Sequence, residues 1–216
     1  MSLMGKAVVL IWNDVTQEGR EGFYAWHDKE HIPERLSIDG FLRGRRYRGD
    51  DASPEWLTVY EARDLSVLTG DAYLERLNNP TPLTQASVKD FRNTARSICS
   101  IESTQGESTG AYVLTMQMRM EKHFPSFDAL LARGDVLAIH RFIADETASN
   151  VRTEEAKARA FTVPSHIVVI EAATRQGIDI CRETLDTFDW ERHGITADRC
   201  NVYTLEITRL SKSLHF

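Results

Sequence analysis

The chain of 216 residues, with 42% hydrophobic and 27% charged residues, has the balance of a globular protein and is long enough for one large domain or two small ones. Its formal net charge of −6 argues against a nucleic-acid or anionic-membrane partner, and no apolar run approaches the roughly 20 residues that span a bilayer. Three widely spaced cysteines without a CxxC pair exclude a disulfide framework and predict a cytoplasmic location.

The first half of the chain alternates strand and helix patterns. In chain order we predict strand Lys6–Asn13, helix Glu18–Leu36, strand Phe41–Arg48, strand Trp56–Ala62, helix Leu65–Leu77, helix Leu83–Arg96 and strand Ile98–Thr104. Pro33 is expected to kink or end the first helix, because proline lacks an N–H and clashes with the preceding turn. The resulting order is β-α-β-β-α-β, with the second helical region interrupted, which is the ferredoxin-like order.

The second half predicts the same order with different element lengths. Its elements are strand Ala111–Met120, a short helix Ser126–Arg133, strand Val136–Ile143, strand His166–Ala173, helix Gly177–Thr187 and strand Asn201–Arg209. Ser126 is expected to cap the short helix and Gly134 to close it.

Short similar motifs recur in equivalent elements of the two halves. The pairs are Ala7–Leu10 with Ala111–Leu114, Arg46–Asp50 with Arg141–Asp145, Val59–Ala62 with Val169–Ala172, and Ser100–Thr104 with Thr204–Thr208. They predict two repeats, residues 4–106 and 107–216. The second repeat has a shorter first helix and a longer connection, residues 146–162, expected to form a small surface helix or a mobile lid.

We therefore predict an α+β protein in which two ferredoxin-like βαββαβ repeats form an intrachain dimeric α/β barrel. A single ferredoxin-like sheet carries helices on one face and leaves the other face open. Two copies in one chain can cover both open faces by closing on each other.

Ionisable side chains that could take part in chemistry are concentrated in the segment Trp26–Arg35. The short helix of the second half has no counterpart to this segment. His31 is the best acid/base candidate, because imidazole exchanges a proton near neutral pH. Since the residue before a proline is biased away from helix, we place His31 at a helix C-terminus, where the dipole favours its protonated form. The structural alternative is that His31 only caps the helix end while Trp26 fills the core.

The run Phe23–Pro33, followed by Gly40-Phe41 and Arg45-Arg46-Tyr47, resembles the dimeric α/β-barrel superfamily, especially its EthD-like members. The residues that match best are Trp26, Glu30, His31, Pro33, Gly40, Phe41 and Arg46. The resemblance covers about 30 residues of motif and the whole chain in architecture. It implies the fold, but leaves the reaction open among oxygenases, isomerases, cyclases, decarboxylases and haem-handling proteins.

Three residues on the next two strands could complete a site with His31. Arg46 could hold a carboxylate or enolate, and Tyr47 could donate to an oxyanion. Glu61 could face the same cavity, with Trp26, Glu30 and Phe41 contacting substrate. Glu61 recurs as Glu171, so both are either solvent-facing or inside the barrel with partners, and a structural role is the alternative.

The same segment spells His-x-x-Glu-His, the inverted zinc-protease motif, and His27 and His31 could share a helix face. Such short matches are common, and Pro33 interrupts the helix at once. We predict no metal site and expect His27 on the solvent side. His140 is expected to be a packed histidine.

Three hypotheses follow for function. The first is a cofactor-independent enzyme on a small, largely apolar carbonyl or aromatic compound, with His31, Arg46 and Tyr47 as catalytic residues. The second is a small-molecule-binding or stress-associated protein without chemistry, and the third is a fold whose site has decayed. No cofactor is expected, and a homodimer of the fused unit is compatible with the sequence.

Overall fold

The structure, a computed structural model, describes residues 2–120, 124–157 and 160–213. Its strands are β1 (Ala7–Val15), β2 (Phe41–Arg48), β3 (Trp56–Ala62), β4 (Phe91–Gly106), β5 (Tyr112–Met120), β6 (Val136–Ala144), β7 (His166–Ala172) and β8 (Ile195–Leu210).

The helices lie mostly in the first half. They are α1 (Arg20–Trp26), a π-helical segment (His27–His31), α2 (Ile32–Leu36), α3 (Leu65–Thr69), α4 (Asp71–Asn78), α5 (Pro82–Val88), α6 (Asp128–Leu131), α7 (Glu146–Ser149), α8 (Glu154–Lys157), α9 (Arg175–Asp186) and a 3-10 turn (Glu191–His193). Within the described residues, no helix is both long and apolar enough to cross a membrane.

All eight strands close into one antiparallel barrel in the order β1-β3-β2-β8-β5-β7-β6-β4. Each half contributes a four-stranded sheet, β4-β1-β3-β2 and β8-β5-β7-β6, and the halves meet where β2 pairs with β8 and β4 with β6. The predicted α+β barrel within one chain is thereby confirmed.

Strand alternation divides the core into three layers. Inside the barrel, both halves contribute to one cluster, which includes Val8, Leu10, Tyr47, Leu57, Val59, Val113, Phe142, Ile167, Val169 and Tyr203. On the outer face of the first sheet, Val9, Phe41, Tyr60 and Ile98 pack against helix residues such as Ile32, Leu68, Tyr73 and Leu77. The outer face of the second sheet packs mainly on α9.

The predicted helix Leu83–Arg96 is wrong in its second half. The helix ends at Val88, and β4 begins at Phe91, seven residues before the predicted strand. Pairing with β1 extends as far as Val15↔Phe91, so the sheet ladder overrides the local helix preference. The last strand is likewise longer than predicted, because its start at Ile195 pairs with Met120.

The first helix of the second half is short, as predicted, and comprises only Asp128–Leu131. The Ser126 hydroxyl accepts a hydrogen bond from the Asp128 N–H at 3.2 Å, although Phe127 occupies the N-cap position. The long connection forms α7 and α8, and these pack on the first half: Arg35 donates to Glu155 at 2.6 Å.

Candidate functional site

The first helix continues through Pro33 by widening one turn. Ile32 N–H donates to the carbonyl of His27, a five-residue step instead of the four-residue step of an α-helix. This widened turn lies directly before Pro33, which has no N–H to donate, and the helix then resumes to Leu36. Of the two outcomes expected at Pro33, a kink or an end of the helix, the end is therefore wrong, and His31 lies within the helix, not at a C-terminus.

The turn places both histidines on the face that packs against the first sheet. Phe23 and Trp26 precede them on that face and are fully buried. The His31 ring centroid lies 4.2 Å from that of Trp26 and 5.6 Å from that of His27. The site is therefore an aromatic layer between helix and sheet, with two imidazoles inside it.

His27 is 3% exposed, so the expectation that it faces solvent is wrong. Arg46 Nη1 donates to His27 Nδ1 at 3.1 Å, and Thr58 Oγ1 lies 3.5 Å from Nε2. Burial lowers the pKa of His27 well below its usual 6.5, and the charges of Arg46 and Arg35 lower it further. The imidazole is therefore neutral, and the bond from Arg46 assigns the remaining ring proton to Nε2.

Arg46 is held from three sides on this face. Its Nε donates to Glu206 at 2.8 Å, and Nη1 also pairs with Asp28. The guanidinium lies over the Tyr24 ring, 4.6 Å from the centroid. Because Glu206 belongs to β8, Arg46 connects the histidine helix to the second half of the chain.

Trp26, Glu30 and Phe41 lie on the same side of the sheet as the histidines. Trp26 Nε1 donates to Thr84 Oγ1 at 3.0 Å, while the partly buried Glu30 accepts from Thr81. The Phe41 ring centroid lies 6.1 Å from that of Tyr60. Of the residues predicted from sequence, the structure therefore brings together Trp26, Glu30, His31, Phe41 and Arg46.

Tyr47 and Glu61 lie on the opposite face, inside the barrel, which separates them from His31 and Arg46. Adjacent residues of a strand point to opposite faces, so Arg46 and Tyr47 cannot line one cavity. Tyr47 belongs to the interior cluster. Glu61 is fully buried and accepts from Arg43 at 2.7 Å.

The buried Glu61 belongs to a charged network that crosses the barrel. Arg45 pairs with Glu61 at 3.1 Å and with Glu171 at 3.0 Å, and His140 Nε2 lies 3.2 Å from Glu171. Both carboxylates recur at equivalent positions and both have partners. This arrangement supports the structural alternative for Glu61, and His140 is a packed histidine as predicted.

Tyr60 is a polar residue of the histidine face that the sequence reasoning missed. Its ring centroid lies 6.2 Å from that of His31, and its buried hydroxyl has no hydrogen-bond partner among the described residues. Burial raises the Tyr60 pKa above its usual value of 10, outweighing the lowering by Arg35, so the hydroxyl keeps its proton. The sequence did contain a signal for this position. Tyr60 directly precedes Glu61 in the strand, so the two side chains must face opposite sides of the sheet.

In the described part of the chain, no group of three or more His, Cys, Asp or Glu side chains is arranged to hold a metal ion.

Solved structures with a similar fold were found for this chain. An anthrone oxidase-like protein superposes with a TM-score of 0.64 at 13% identity, covering 96% of this chain and 93% of that chain. A variant of chlorite dismutase from Candidatus Nitrospira defluvii superposes with a TM-score of 0.54 at 12% identity, covering 94% and 92%. No protein-family model and no curated protein sequence matches the chain. The chain thus shares its α/β-barrel fold with this anthrone oxidase-like protein and with chlorite dismutase.

Proposed function

We propose that the chain is an oxygenase-type enzyme that acts without a cofactor on a small, largely apolar aromatic carbonyl compound. The observation that carries the proposal is the buried imidazole pair in the aromatic layer of the first half, with the Tyr60 ring centroid 6.2 Å from that of His31. A titratable group in a dry, aromatic environment is typical of sites that move protons. The similarity in fold to an anthrone oxidase-like protein supports the substrate class.

The two histidines have different roles in this proposal. His27 uses one ring nitrogen to accept from Arg46 and directs the other at Thr58, so it serves to position the helix. His31 is the acid/base residue. Tyr60 donates to the substrate oxygen, the role expected for Tyr47, because Tyr60 is on the same face as His31.

If the substrate is an anthrone, its oxidation to a quinone needs dioxygen as the sole co-substrate. His31 removes a proton from the methylene carbon, and the resulting enolate, held by the Tyr60 hydroxyl, transfers an electron to dioxygen. Recombination forms a carbon–oxygen bond, and the hydroperoxide formed after reprotonation loses water. Anthrone and dioxygen therefore give anthraquinone and water.

The test is oxygen uptake by the purified full-length protein with anthrone in buffer that contains a metal chelator. We expect one dioxygen consumed per quinone formed, at a rate above the spontaneous oxidation of anthrone. A rate equal to that of buffer alone, across a panel of hydroxylated and carbonyl-bearing aromatic compounds, would contradict the proposal.

A binding protein without chemistry is the second candidate. It is favoured by a cavity of about 60 Å³ on the same helix-covered face, whose lining includes Thr94, Arg96 and Glu155 but neither histidine. Under this alternative, aromatic compounds raise the melting temperature of the protein but are recovered unchanged.

We also infer that the halves, residues 4–106 and 107–216, are EthD-like ferredoxin repeats of one ancestral unit. The matching strand orders β4-β1-β3-β2 and β8-β5-β7-β6 support this inference. Three predictions from the sequence stay predictions: that the chain binds a small-molecule ligand, that the fused chain forms a homodimer, and that the protein is located in the cytoplasm.

A further inference from the structure

The connection between β6 and β7 encloses a cavity on the first half. The cavity measures about 60 Å³ and lies between α3, α4, β4 and the connection. Most of its lining is apolar: Leu68, Leu74, Leu77, Ile98, Ala148 and Phe161. This space exceeds the roughly 15 Å³ that one water molecule needs, so the cavity can hold a small group.

One wall of this cavity is polar, and it comes from a single strand. Thr94, Arg96 and Ile98 alternate along β4 and therefore face the same side. Thr94 is 5% exposed, and its hydroxyl has no hydrogen-bond partner among the described residues. A buried hydroxyl without a partner costs free energy, and a ligand oxygen would remove that cost.

Arg96 adds a cation to the same wall. The side chain is half-buried, and among the described residues its guanidinium donates to neutral oxygens, the Tyr73 hydroxyl at 3.3 Å and the Ser149 carbonyl at 3.4 Å. Within the described ranges, no carboxylate forms an ion pair with Arg96. Guanidinium groups form their strongest hydrogen bonds with carboxylates, so this wall is suited to an anionic oxygen.

The acidic residue of the cavity already has a basic partner. Glu155 lies across from β4 and accepts from the buried Arg35 at 2.6 Å. Arg35 itself is 2% exposed. Arg35, which also pairs with Glu34 at 3.0 Å, offsets part of the Glu155 charge, and Arg96 provides a further positive charge.

The roof of the cavity, formed by this connection, is attached at both of its ends, and the Glu155–Arg35 pair anchors its middle. At one end Ser149 Oγ accepts from Ile98 N–H at 2.9 Å, and at the other Arg96 N–H donates to the Thr162 carbonyl at 2.9 Å. Between these attachments Val151 is exposed although it lines the cavity. The cavity therefore opens to solvent beside Val151, and a ligand larger than the cavity can extend outward there.

From these features we infer that the cavity is a binding site for a small monocarboxylate with a compact apolar body. The carboxylate bonds to Arg96 and Thr94, and the apolar body contacts Leu68, Leu77 and Ile98. This inference does not depend on the chemistry proposed for His31, because no residue of the carboxylate-binding wall has a role in that reaction.

Calorimetric titration of the full-length protein with benzoate at pH 7 tests the inference. We expect one saturable site, and roughly tenfold weaker binding in Arg96→Gln, because the charge-assisted hydrogen bonds are lost. Thr94→Val keeps the shape and removes the hydroxyl, so we expect several-fold weaker binding with an unchanged melting temperature. Arg192→Gln, at an exposed arginine of the second half, serves as the matched control and should bind like the parent.

Three results would overturn the inference: no saturable binding of benzoate, equal binding of benzoate by the parent and Thr94→Val, or equally tight binding of neutral benzyl alcohol. The Thr94 variant decides the outcome even if Arg96→Gln does not fold. Anthrone oxidation measured on the same variants separates this inference from the proposed function, since loss of benzoate binding with retained turnover affects only the cavity.

Discussion

At the scale of single residues, His27 and His31 are both buried in one aromatic layer, and the hydrogen bonds of His27 define its protonation state. His27 accepts from Arg46 and is kept neutral by burial. Its folded-state pKa lies below that of the unfolded chain. The unfolded chain therefore binds more protons near pH 6. The stability contributed by neutral His27 is present above the unfolded pKa and is lost as pH falls from there through the folded pKa.

His27→Gln tests this assignment, since glutamine accepts from Arg46 but does not titrate. Between pH 7.5 and 5 the parent should lose stability more steeply than His27→Gln, by up to about 1.4 kcal/mol per pH unit. Urea unfolding at a series of pH values measures the difference, with the exposed His193→Gln as control. Equal slopes in parent and His27→Gln would show that His27 is protonated in the folded protein.

At the scale of elements, the connection between β6 and β7 packs as a roof on the other half of the chain. Helix α8 is joined to α2 by the buried Glu155–Arg35 pair, across 120 positions of sequence. The sequence predicted a surface helix or lid at residues 146–162, but not where it packs. Charge and alanine content indicate helix, while the docking depends on Arg35, which a local pattern cannot connect to Glu155.

Glu155→Gln should loosen the roof without unfolding the barrel. Arg35 keeps a second carboxylate, Glu34 at 3.0 Å, so the buried guanidinium is not left unpaired. We expect faster amide hydrogen exchange in residues 146–157 and unchanged exchange in α9, measured by mass spectrometry. Glu154→Gln, an exposed neighbour, is the control, and unchanged exchange in the roof would contradict the role of the pair.

At the scale of the whole molecule, the halves are joined by two strand seams, a shared interior cluster and a buried charged network. Arg45 of the first half pairs with Glu171 of the second. Burial would raise the pKa of Glu171, but Arg45 and His140 outweigh it and lower the pKa to about 2. The stability contributed by the ionised carboxylate is present above its ordinary pKa of 4.5 and lost as pH falls toward 2.

Glu171→Gln should therefore cost on the order of 3 kcal/mol of stability near pH 7, with most of the difference from the parent disappearing by pH 3. Urea unfolding at each pH measures it, and Glu183→Gln, on the exposed side of α9, is the control. If the stability difference between Glu171→Gln and the parent stays constant with pH, the ionised carboxylate of Glu171 does not stabilise the network.

The architecture was more predictable than the site. The β-branched apolar run Lys6–Asn13 and recurring motifs such as Val59–Ala62 were enough to predict two sheets closing on each other. Strand alternation also required Arg46 and Tyr47 to face apart, which the predicted site ignored. The burial of His27 and the position of Thr94 in a strand depend on contacts with distant residues, and no local pattern records those contacts.

The central claim is that His31 moves a proton in the aromatic layer of the first half. Its most direct test is the steady-state rate of anthrone oxidation by His31→Gln, compared with His193→Gln and with the parent protein. We predict a loss of roughly 100-fold or more in His31→Gln, with a parent-like circular dichroism spectrum, and no loss in His193→Gln. A folded His31→Gln that oxidises anthrone within twofold of the parent rate would contradict the claim.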